Sequence, residues 1–431
     1  MIVPSIDLMK GHAVQLVGGK EMAIDAGEPM AVAERFSVAG ELAVIDLDAA
    51  LGRGSNRELI QRLVRRFRCR VGGGIRTVDA ALDWLDAGAE QVILGTAATP
   101  ELLRQLPRER VIAAVDSVDS RVVVEGWQVE TKRRLPDRVA ELQDLVGGFL
   151  VTFVEREGRL EGTDLERARA AVQGAGRARV TVAGGVSTVD EIAEIDAIGA
   201  DAQVGMALYN GQLPLADAIA APLTSDRPDR LWPTVVCDED GRALGLAYSS
   251  LESLRDAVDR RRGIYQSRSR GLWVKGETSG DVQELLEVRP DCDRDALRFT
   301  VRQHGRGFCH RGTWTCWGPT SGLEALERRL AERLSSEDAR SYSRSVVRDP
   351  GRLGSKLDEE AEELGRARQH VDVVWEAADL LYFTALKLAS SGVAWREVLR
   401  ELERRDRVTR RRDGSRKYSS ESSSDKMGGG Q

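Results

Sequence analysis

The sequence is poor in cysteine and has no long apolar run. Five cysteines occur in 431 residues, and so small and odd a number argues against a disulfide framework and for a reducing compartment. No run of about 18 apolar residues, the length that a transmembrane helix needs, is present. The opening residues, MIVPSIDLMKGH, also lack the pattern of a signal peptide. We therefore expect a cytoplasmic protein that has no membrane partner.

A strong excess of charge of one sign is also missing. The 63 basic and 69 acidic residues leave a net charge of −6, so a nucleic-acid partner is not indicated. The basic runs at residues 260–262 and 410–412 are more typical of solvated helix ends than of nucleic-acid patches. What is present is an ordinary hydrophobic content of 42%, which allows each of about three domains of ~150 residues to bury a core.

Eight short apolar runs are spread over the first part of the chain. Each is followed by a loop or an amphipathic segment such as TVDAALDWLDAGA, an alternation that is typical of parallel βαβ units. Eight such units in about 220 residues favour a closed (β/α)₈ barrel over an open sheet. The runs are MIVPSID, LAVIDLD, CRVGGGI, QVILGTA, RVIAAVD, GFLVTFV, RVTVAGGV and DAQVGMA.

Two segments of this first unit resemble each other. GGGIRTVDAALDWLDAGAEQVILGTA and AGGVSTVDEIAEIDAIGADAQVGMA both contain a glycine pair, a helical segment and a second strand that ends in glycine. Such duplication indicates two half-barrels. Backbone N–H groups of a glycine-rich turn can bind a phosphate, so we expect a substrate with a phosphate at each end. The glycines concerned are Gly73, Gly74, Gly184, Gly185 and Gly205.

The motifs MIVPSIDL, VGGGIR, AVD, EGW at residues 125–127, AGGVS and VGMAL resemble the isomerase of histidine biosynthesis. That family converts an aminoaldose into an aminoketose on a bis-phosphorylated substrate. The resemblance implies that Asp7 and Asp116 transfer the protons, one to the ring oxygen and one from C2. It also implies a role for Thr152 beside them.

Three departures from that family leave the role of the barrel open. Gln15 and Met206 stand where the family usually has a cationic side chain, and residues 117–120 read SVDS where it has glycines. The loss of two cations would weaken the binding of phosphate. Two interpretations therefore remain: an active isomerase, or a non-catalytic scaffold or regulatory module that binds bis-phosphates.

A second unit is expected after the polar, proline-containing segment at residues 225–229. Residues 291–295 read Asp-Cys-Asp-Arg-Asp. On an extended strand, alternation would place Asp291, Asp293 and Asp295 on one face and Cys292 on the other. Carboxylates suit Mg²⁺, whereas thiolates, here with Cys309 and Cys316 nearby, suit Zn²⁺. Three sulfurs would leave one zinc position open, as in catalytic sites.

The whole block, including GETSG and FCHRGTWTC, resembles phosphoribosyl-AMP cyclohydrolase. The resemblance implies Zn²⁺ on Cys292, Cys309 and Cys316, with Cys292 supplied by the other subunit of a homodimer, and Mg²⁺ on the three aspartates. His310 is interpreted as a proton shuttle, with a structural histidine as the alternative. Cys69 and Cys237 fall on apolar strands and are predicted to be buried core thiols. The expected substrate-binding residues are Arg268, Arg270, Lys275, Glu277, Thr278 and Ser279.

From about residue 321 the pattern is helical, which predicts an all-α unit of four or five helices. Glu359, Glu360 and Glu363 share one helix, while Glu376 and Asp379 interrupt the apolar run WEAADLLYF, where a core would be expected. Carboxylates in such a position indicate a divalent cation. The pattern resembles phosphoribosyl-ATP pyrophosphohydrolase, which implies that these carboxylates hold Mg²⁺; a general nucleotide pyrophosphohydrolase is the alternative.

The sequence therefore predicts a multidomain enzyme of histidine biosynthesis that acts on phosphoribosyl nucleotides. We expect the barrel at residues 1–222, an α+β cyclohydrolase at residues 227–320, an all-α pyrophosphohydrolase at residues 321–412 and a disordered tail at residues 413–431. The product of the third unit would be the substrate of the second, whose product feeds the reaction of the isomerase family.

Overall fold

The computed structural model describes residues 1–124, 126–127, 129–269, 271–336 and 341–409. Arg270 and the expected tail at residues 413–431 lie outside these ranges. Within the described ranges, no helix is both long enough and apolar enough to cross a membrane.

The first unit is a closed parallel barrel. Eight strands form its wall, and the pairing of β7 with β10 closes it. The predicted barrel is confirmed, because the eight wall strands coincide with the eight apolar runs. The strands of this unit are β1 (Ile2–Met9), β2 (His12–Val17), β3 (Glu21–Gly27), β4 (Glu41–Asp46), β5 (Arg68–Gly72), β6 (Gln91–Leu94), β7 (Val111–Val118), β8 (Arg121–Val124), β9 (Val129–Arg134), β10 (Gly148–Phe153), β11 (Arg179–Ala183) and β12 (Ala200–Val204).

Two hairpins extend the barrel wall at its mouth. β2 and β3 follow β1, while β8 and β9 follow β7, and each pair is antiparallel. The hairpins were not predicted. β3 and β9 are largely exposed, so they lack the apolar run that marks the wall strands.

The helices of the first unit lie between its strands. The internal repeat is visible in α4 and α8, because each begins after a threonine cap, Thr77 or Thr188, whose hydroxyl accepts a backbone N–H of the first turn. The helices are α1 (Pro29–Phe36), α2 (Leu47–Ala50), α3 (Arg57–Arg66), α4 (Val78–Ala87), α5 (Pro100–Leu103), α6 (Leu135–Leu142), α7 (Leu165–Gly174), α8 (Val189–Ala197), α9 (Met206–Tyr209) and α10 (Leu215–Ala220).

The second unit is an α+β arrangement around a four-stranded sheet. The strand order is β14-β13-β18-β17, with β15 and β16 as a separate antiparallel pair. Buried residues of this sheet and of the barrel belong to one hydrophobic cluster, so the two units pack firmly together. The elements are β13 (Trp232–Cys237), β14 (Ala243–Ser249), α11 (Leu251–Arg260), β15 (Ile264–Ser267), β16 (Gly271–Val274), β17 (Gln283–Pro290) and β18 (Leu297–Gln303).

The third unit is all-α, as predicted, and has its own hydrophobic cluster. α13 was not predicted separately; it is a single short segment between longer helices. The helices are α12 (Leu323–Ser335), α13 (Tyr342–Val347), α14 (Pro350–Arg366), α15 (His370–Ser390) and α16 (Trp395–Asp406).

Candidate functional sites

A cavity of about 730 Å³ occupies the mouth of the barrel, at the carboxyl ends of the wall strands. This is the end at which barrels of this type carry their ligand sites. The structure brings together here the candidate site residues of the barrel together with Gln15 and Met206. They are Asp7, Gln15, Gly73, Gly74, Asp116, Thr152, Gly184, Gly185, Gly205 and Met206.

Three carboxyl groups share this cavity. Burial raises the pKa of Asp7 to about 6, although the Ser5 hydroxyl donates to it at 3.0 Å. Burial also raises the pKa of Asp116, against the effect of hydrogen bonds from Thr152 and Trp127. The pKa of Glu157 rises to about 8, because the group is desolvated and both other carboxylates repel its charge. At neutral pH the cavity therefore holds a protonated carboxyl beside an ionised one.

Glu157 was missed in the sequence. It follows the strand β10 by a few residues, at the carboxyl end of the barrel, and the glycine after it lies against the backbone of Leu16. A carboxylate in a loop that follows a barrel strand is a recognisable signal of a site residue. It was overlooked because the segment VEREGRLEG reads as an ordinary charged loop.

The two glycine pairs have the same backbone geometry. Gly73 and Gly184 have φ values of +96° and +95°. A Cβ atom would lie 2.2 Å from the carbonyl oxygen of Asp46 at the first position and 2.5 Å from that of Phe153 at the second. Both positions therefore require glycine, because a side chain would collide with the end of the preceding wall strand.

Gln15 and Met206 face the cavity without offering a positive charge. The buried Gln15 amide donates to the carbonyl oxygen of Val14. Two arginines do line the cavity, and each is fixed by backbone carbonyls: Arg76 donates to Ala50 at 3.0 Å and Arg138 to Ala98 at 2.6 Å. Cationic groups are thus present at the mouth, although not at the two positions expected from the isomerase family.

Cys309 and Cys316 lie side by side in the second unit. A turn between them is closed by the Cys309 N–H, which donates to the Thr313 carbonyl at 3.1 Å. The pKa of Cys309 is lowered, first by a hydrogen bond from the backbone N–H of Arg311 and then by one from Thr313. Burial and the neighbouring Cys309 raise the pKa of Cys316. Two adjacent sulfurs, one of them favoured as thiolate, form a donor set that suits Zn²⁺.

Cys292 does not join this pair within one chain. Its side chain is exposed, and among the described residues no group of three ligand atoms within 4.8 Å of one another contains a cysteine. His310 lies exposed in the turn after Cys309. Cys69 and Cys237, by contrast, are buried in the core, as predicted.

The prediction that residues 291–295 form a strand is wrong. They form a loop between β17 and β18, because the Asp291 carboxylate accepts the N–H groups of Asp295 and Ala296 at 3.1 and 3.2 Å and so turns the chain. The ligand atoms of Asp291, Asp293 and Asp295 nevertheless lie within 4.8 Å of one another. Repulsion from Asp293 raises the pKa of Asp295, as expected for carboxylates that lie close together.

The remaining described residues singled out in the second unit differ in burial and in contacts. Lys275 is buried, and its amino group donates to the carbonyl oxygens of Asp281 and Gly307. The Arg268 guanidinium lies 4.9 Å from the ring centre of Tyr248. The other described members, Glu277, Thr278 and Ser279, occupy an exposed turn after β16.

In the third unit, α14 and α15 bring five carboxylates together. Glu360, Glu376 and Asp379 have ligand atoms within 4.8 Å of one another, and the same is true of Glu360 with Glu359 and Glu363. Partial burial and then repulsion from Glu363 and Glu360 raise the pKa of Glu376. Such a cluster suits a hard cation.

The expectation that Glu376 and Asp379 interrupt a core is wrong within this chain. Asp379 is exposed, and the apolar residues around it are exposed as well, with Trp375 at 67% and Leu381 at 42%. The reason is that α14 covers only one side of this half of α15. Glu360, at 6% exposure, is the buried member of the cluster.

Comparison with known families matches the three units in chain order. The family described as "Histidine biosynthesis protein" matches residues 1–214. Phosphoribosyl-AMP cyclohydrolase matches residues 245–318, and phosphoribosyl-ATP pyrophosphohydrolase matches residues 323–406. The three predicted resemblances and their order are confirmed.

Similar proteins fall into two groups. The histidine biosynthesis bifunctional protein of Schizosaccharomyces pombe is 45% identical over 206 residues, 48% of this chain and 49% of that protein. The trifunctional protein of Komagataella pastoris is 43% identical over 206 residues. The chain thus spans about half the length of the first relative and about a quarter of the second.

The second group is represented by an isomerase. The 1-(5-phosphoribosyl)-5-((5-phosphoribosylamino)methylideneamino)imidazole-4-carboxamide isomerase of Myxococcus xanthus is 39% identical over 233 residues, 51% of this chain and 97% of that protein. Nearly the whole of this relative is therefore represented in the chain, and the other two family matches add the cyclohydrolase and pyrophosphohydrolase domains. The chain belongs to the family of histidine biosynthesis proteins, with an isomerase-type barrel followed by a cyclohydrolase and a pyrophosphohydrolase domain.

Proposed function

We propose that the chain catalyses three successive reactions on phosphoribosyl nucleotides. The observation that carries this proposal is the presence of three sites of different chemistry: a carboxyl-lined cavity, a second unit that carries a pair of adjacent thiols and a separate aspartate loop, and a helical carboxylate cluster. Each lies in the unit whose family needs that chemistry. We assign the units to residues 1–222, 227–320 and 321–412.

The third unit would release pyrophosphate from phosphoribosyl-ATP. Glu359, Glu360, Glu363, Glu376 and Asp379 would hold Mg²⁺, which supplies charge neutralisation for the triphosphate and activation of water. The raised pKa of Glu376 supports this role, since a bound cation would offset both the desolvation and the repulsion by neighbouring carboxylates that cause the shift.

The second unit would open the purine ring of phosphoribosyl-AMP by hydrolysis. Cys309 and Cys316 would hold Zn²⁺ together with Cys292 of a second subunit, and the ion lowers the pKa of water to supply a nucleophile. Asp291, Asp293 and Asp295 would hold Mg²⁺. His310, next to the thiol pair, would move the proton, while Lys275 and the exposed turn after β16 contribute to substrate binding.

The barrel would convert the aminoaldose product into an aminoketose. Asp7, with a pKa near 6, is ionised at neutral pH and is suited to remove the proton from C2. Glu157, with a pKa near 8, keeps a proton that it can donate, and Asp116 is fixed beside Thr152. The glycine turns at Gly73, Gly184 and their neighbours would bind the two phosphates.

Separate variants test the assignment of the two hydrolytic sites. Cys309→Ser is expected to abolish ring opening and to leave pyrophosphate release intact. Glu376→Gln is expected to abolish pyrophosphate release and to leave ring opening intact, which is measured with phosphoribosyl-AMP as the supplied substrate. Glu362→Gln, on the solvent side of α14 and paired with Arg366, is the matched control. If one variant removed both activities in a folded protein, the two-site assignment would be wrong. Equal hydrolysis of ordinary nucleoside triphosphates would favour a general pyrophosphohydrolase.

A second candidate function for the barrel is a scaffold or regulatory module that binds bis-phosphates. It is favoured by Gln15 and Met206, which bring no cation to the cavity. If the chain converts the aminoaldose and Asp7→Asn abolishes this conversion, a barrel that only binds bis-phosphates is excluded. No turnover in the intact chain would establish the second candidate.

We further propose a cytoplasmic homodimer formed through the cyclohydrolase domain. All five cysteines are free thiols, as a reducing compartment requires. The separation of Cys292 from the other two thiols supports a zinc site that two subunits share.

A further inference from the structure

The 291–295 loop is held in place by the barrel as well as by its own unit. The guanidinium of Arg294 makes a two-bond contact with Asp196 on α8, with Nε to Oδ2 at 3.0 Å and Nη2 to Oδ1 at 2.8 Å. Both side chains are largely buried, at 24% and 15% exposure. Such a paired contact fixes direction as well as distance, so the position of Arg294 is set by the barrel.

Arg294 passes this restraint to the backbone of the loop. Its Nη1 donates to the carbonyl oxygen of Asp291 at 2.5 Å, and its own carbonyl oxygen accepts the Thr224 N–H at 2.8 Å. The residue has a φ of +67°, a conformation that a non-glycine residue keeps only where its surroundings hold it. The loop is thus clamped between α8 and the segment that follows α10.

This clamp acts on the two neighbours of Arg294 in the chain. Asp293 and Asp295 flank it directly, and their ligand atoms lie within 4.8 Å of each other and of Asp291. Three gathered carboxylates repel one another, so an unrestrained loop would spread before a cation arrives. A restraint that keeps them together reduces the ordering needed on binding.

We propose that Asp196 of the barrel, acting through Arg294, is a positioning residue for the divalent-cation site of the 291–295 loop. The proposal rests on the proposed cyclohydrolase function. It gives the barrel a part in ring opening that does not depend on catalysis in the barrel itself.

A second ion pair between the same two units provides the matched control. Arg255 on α11 donates to Asp217 on α10 at 2.6 and 3.0 Å. Neither Arg255 nor Asp217 lies in the 291–295 loop, so this ion pair contributes to the interface without restraining the three aspartates of the loop. Removing it separates a general loosening of the interface from a loss of the clamp.

The test measures Mn²⁺ binding to the full chain by electron paramagnetic resonance. Glu360→Gln and Asp379→Asn are present throughout, because Glu360 belongs to both carboxylate groups of the third unit, so that this unit offers no competing cation site. We expect Asp196→Ala and Arg294→Gln each to weaken the Asp291-dependent binding by about fivefold or more. Asp217→Ala is expected to change it by less than about twofold, because the pair is partly exposed.

Activity provides a second readout in chains with an intact third unit. The Mg²⁺ concentration for half-maximal ring opening should rise in the two clamp variants, while pyrophosphate release stays unchanged. Arg294→Gln leaves Asp196 in contact with the Met1 amino group, so a loss confined to Asp196→Ala would indicate a distorted barrel and overturn the proposal. Unchanged Mn²⁺ binding in both variants, or an equal loss in Asp217→Ala, would overturn it too. If Asp291→Asn left Mn²⁺ binding unaltered, the 291–295 loop would not be a cation site.

Discussion

Glu157 has a chemistry that depends strongly on its surroundings. It is an ordinary loop glutamate in the sequence, and its raised pKa arises from the cavity and from Asp7 and Asp116 across it. A carboxyl group of this kind is neutral in the folded chain over a pH range in which it would be ionised in the unfolded chain. Its titration therefore links stability to pH.

Glu157→Gln should stabilise the protein in a pH-dependent way. The folded pKa near 8 lies above the ordinary 4.5, so the folded wild type binds the extra proton and loses stability as pH rises from about 4.5 through 8. Glutamine does not titrate, and the variant should gain about 1–3 kcal/mol at about pH 9 and little at about pH 5. Denaturant titrations at both pH values measure this. A gain independent of pH would show that Glu157 is not held neutral.

The same substitution should lower isomerisation because it removes the proton donor. In the wild type, the rate of isomerisation should fall below about pH 6, where Asp7 becomes protonated, and above about pH 8, where Glu157 ionises. These limbs belong to the coupled carboxyl cluster rather than to single groups.

At the scale of elements, the barrel wall, the helices α4 and α8 that follow the glycine turns, and the carboxylate-bearing helices α14 and α15 follow from patterns that are local in the chain. Apolar runs predicted the eight wall strands, and the repeat predicted that α4 and α8 are equivalent. The hairpins at the barrel mouth and the 291–295 loop were not predicted correctly. In β3 and β9 exposure removes the apolar signal, and in the loop the Asp291 side chain competes with strand hydrogen bonding.

The glycine turn before α8 allows a test with an internal control. Gly184 and Gly199 both have positive φ, +95° and +83°, but a Cβ would meet the Phe153 carbonyl oxygen only at Gly184. Gly199→Ala should cost about 1 kcal/mol for the backbone conformation alone, and Gly184→Ala about 3 kcal/mol or more because the strand end must shift. Chemical denaturation compares the two. Equal costs would mean that the turn is not sterically fixed.

At the scale of the whole molecule, the sequence predicted the order of the three units but not how the first two pack together. The three units and their order followed from motifs, whereas the common hydrophobic cluster of the first two units and the Arg294–Asp196 contact join residues far apart in the chain. The resemblance to the cyclohydrolase had already implied that Cys309 and Cys316 belong to one subunit and Cys292 to the other.

Mixing two inactive variants tests the shared zinc site. If Cys292 comes from one subunit and the thiol pair from the other, a Cys292→Ser and Cys309→Ser heterodimer keeps one intact site out of two. Random reassociation of equal amounts would then restore about a quarter of wild-type ring opening. Each variant alone should remain inactive. No recovery after demonstrated subunit exchange would contradict a site formed between subunits.

The central claim is that one chain performs three successive reactions. It is tested most directly by supplying phosphoribosyl-ATP as the only substrate, with Mg²⁺ and Zn²⁺, and identifying the products over time. The account predicts pyrophosphate and phosphoribosyl-AMP first, the ring-opened aminoaldose next and the aminoketose last. Release of pyrophosphate without ring opening, or an aminoaldose that accumulates without isomerisation, would contradict it.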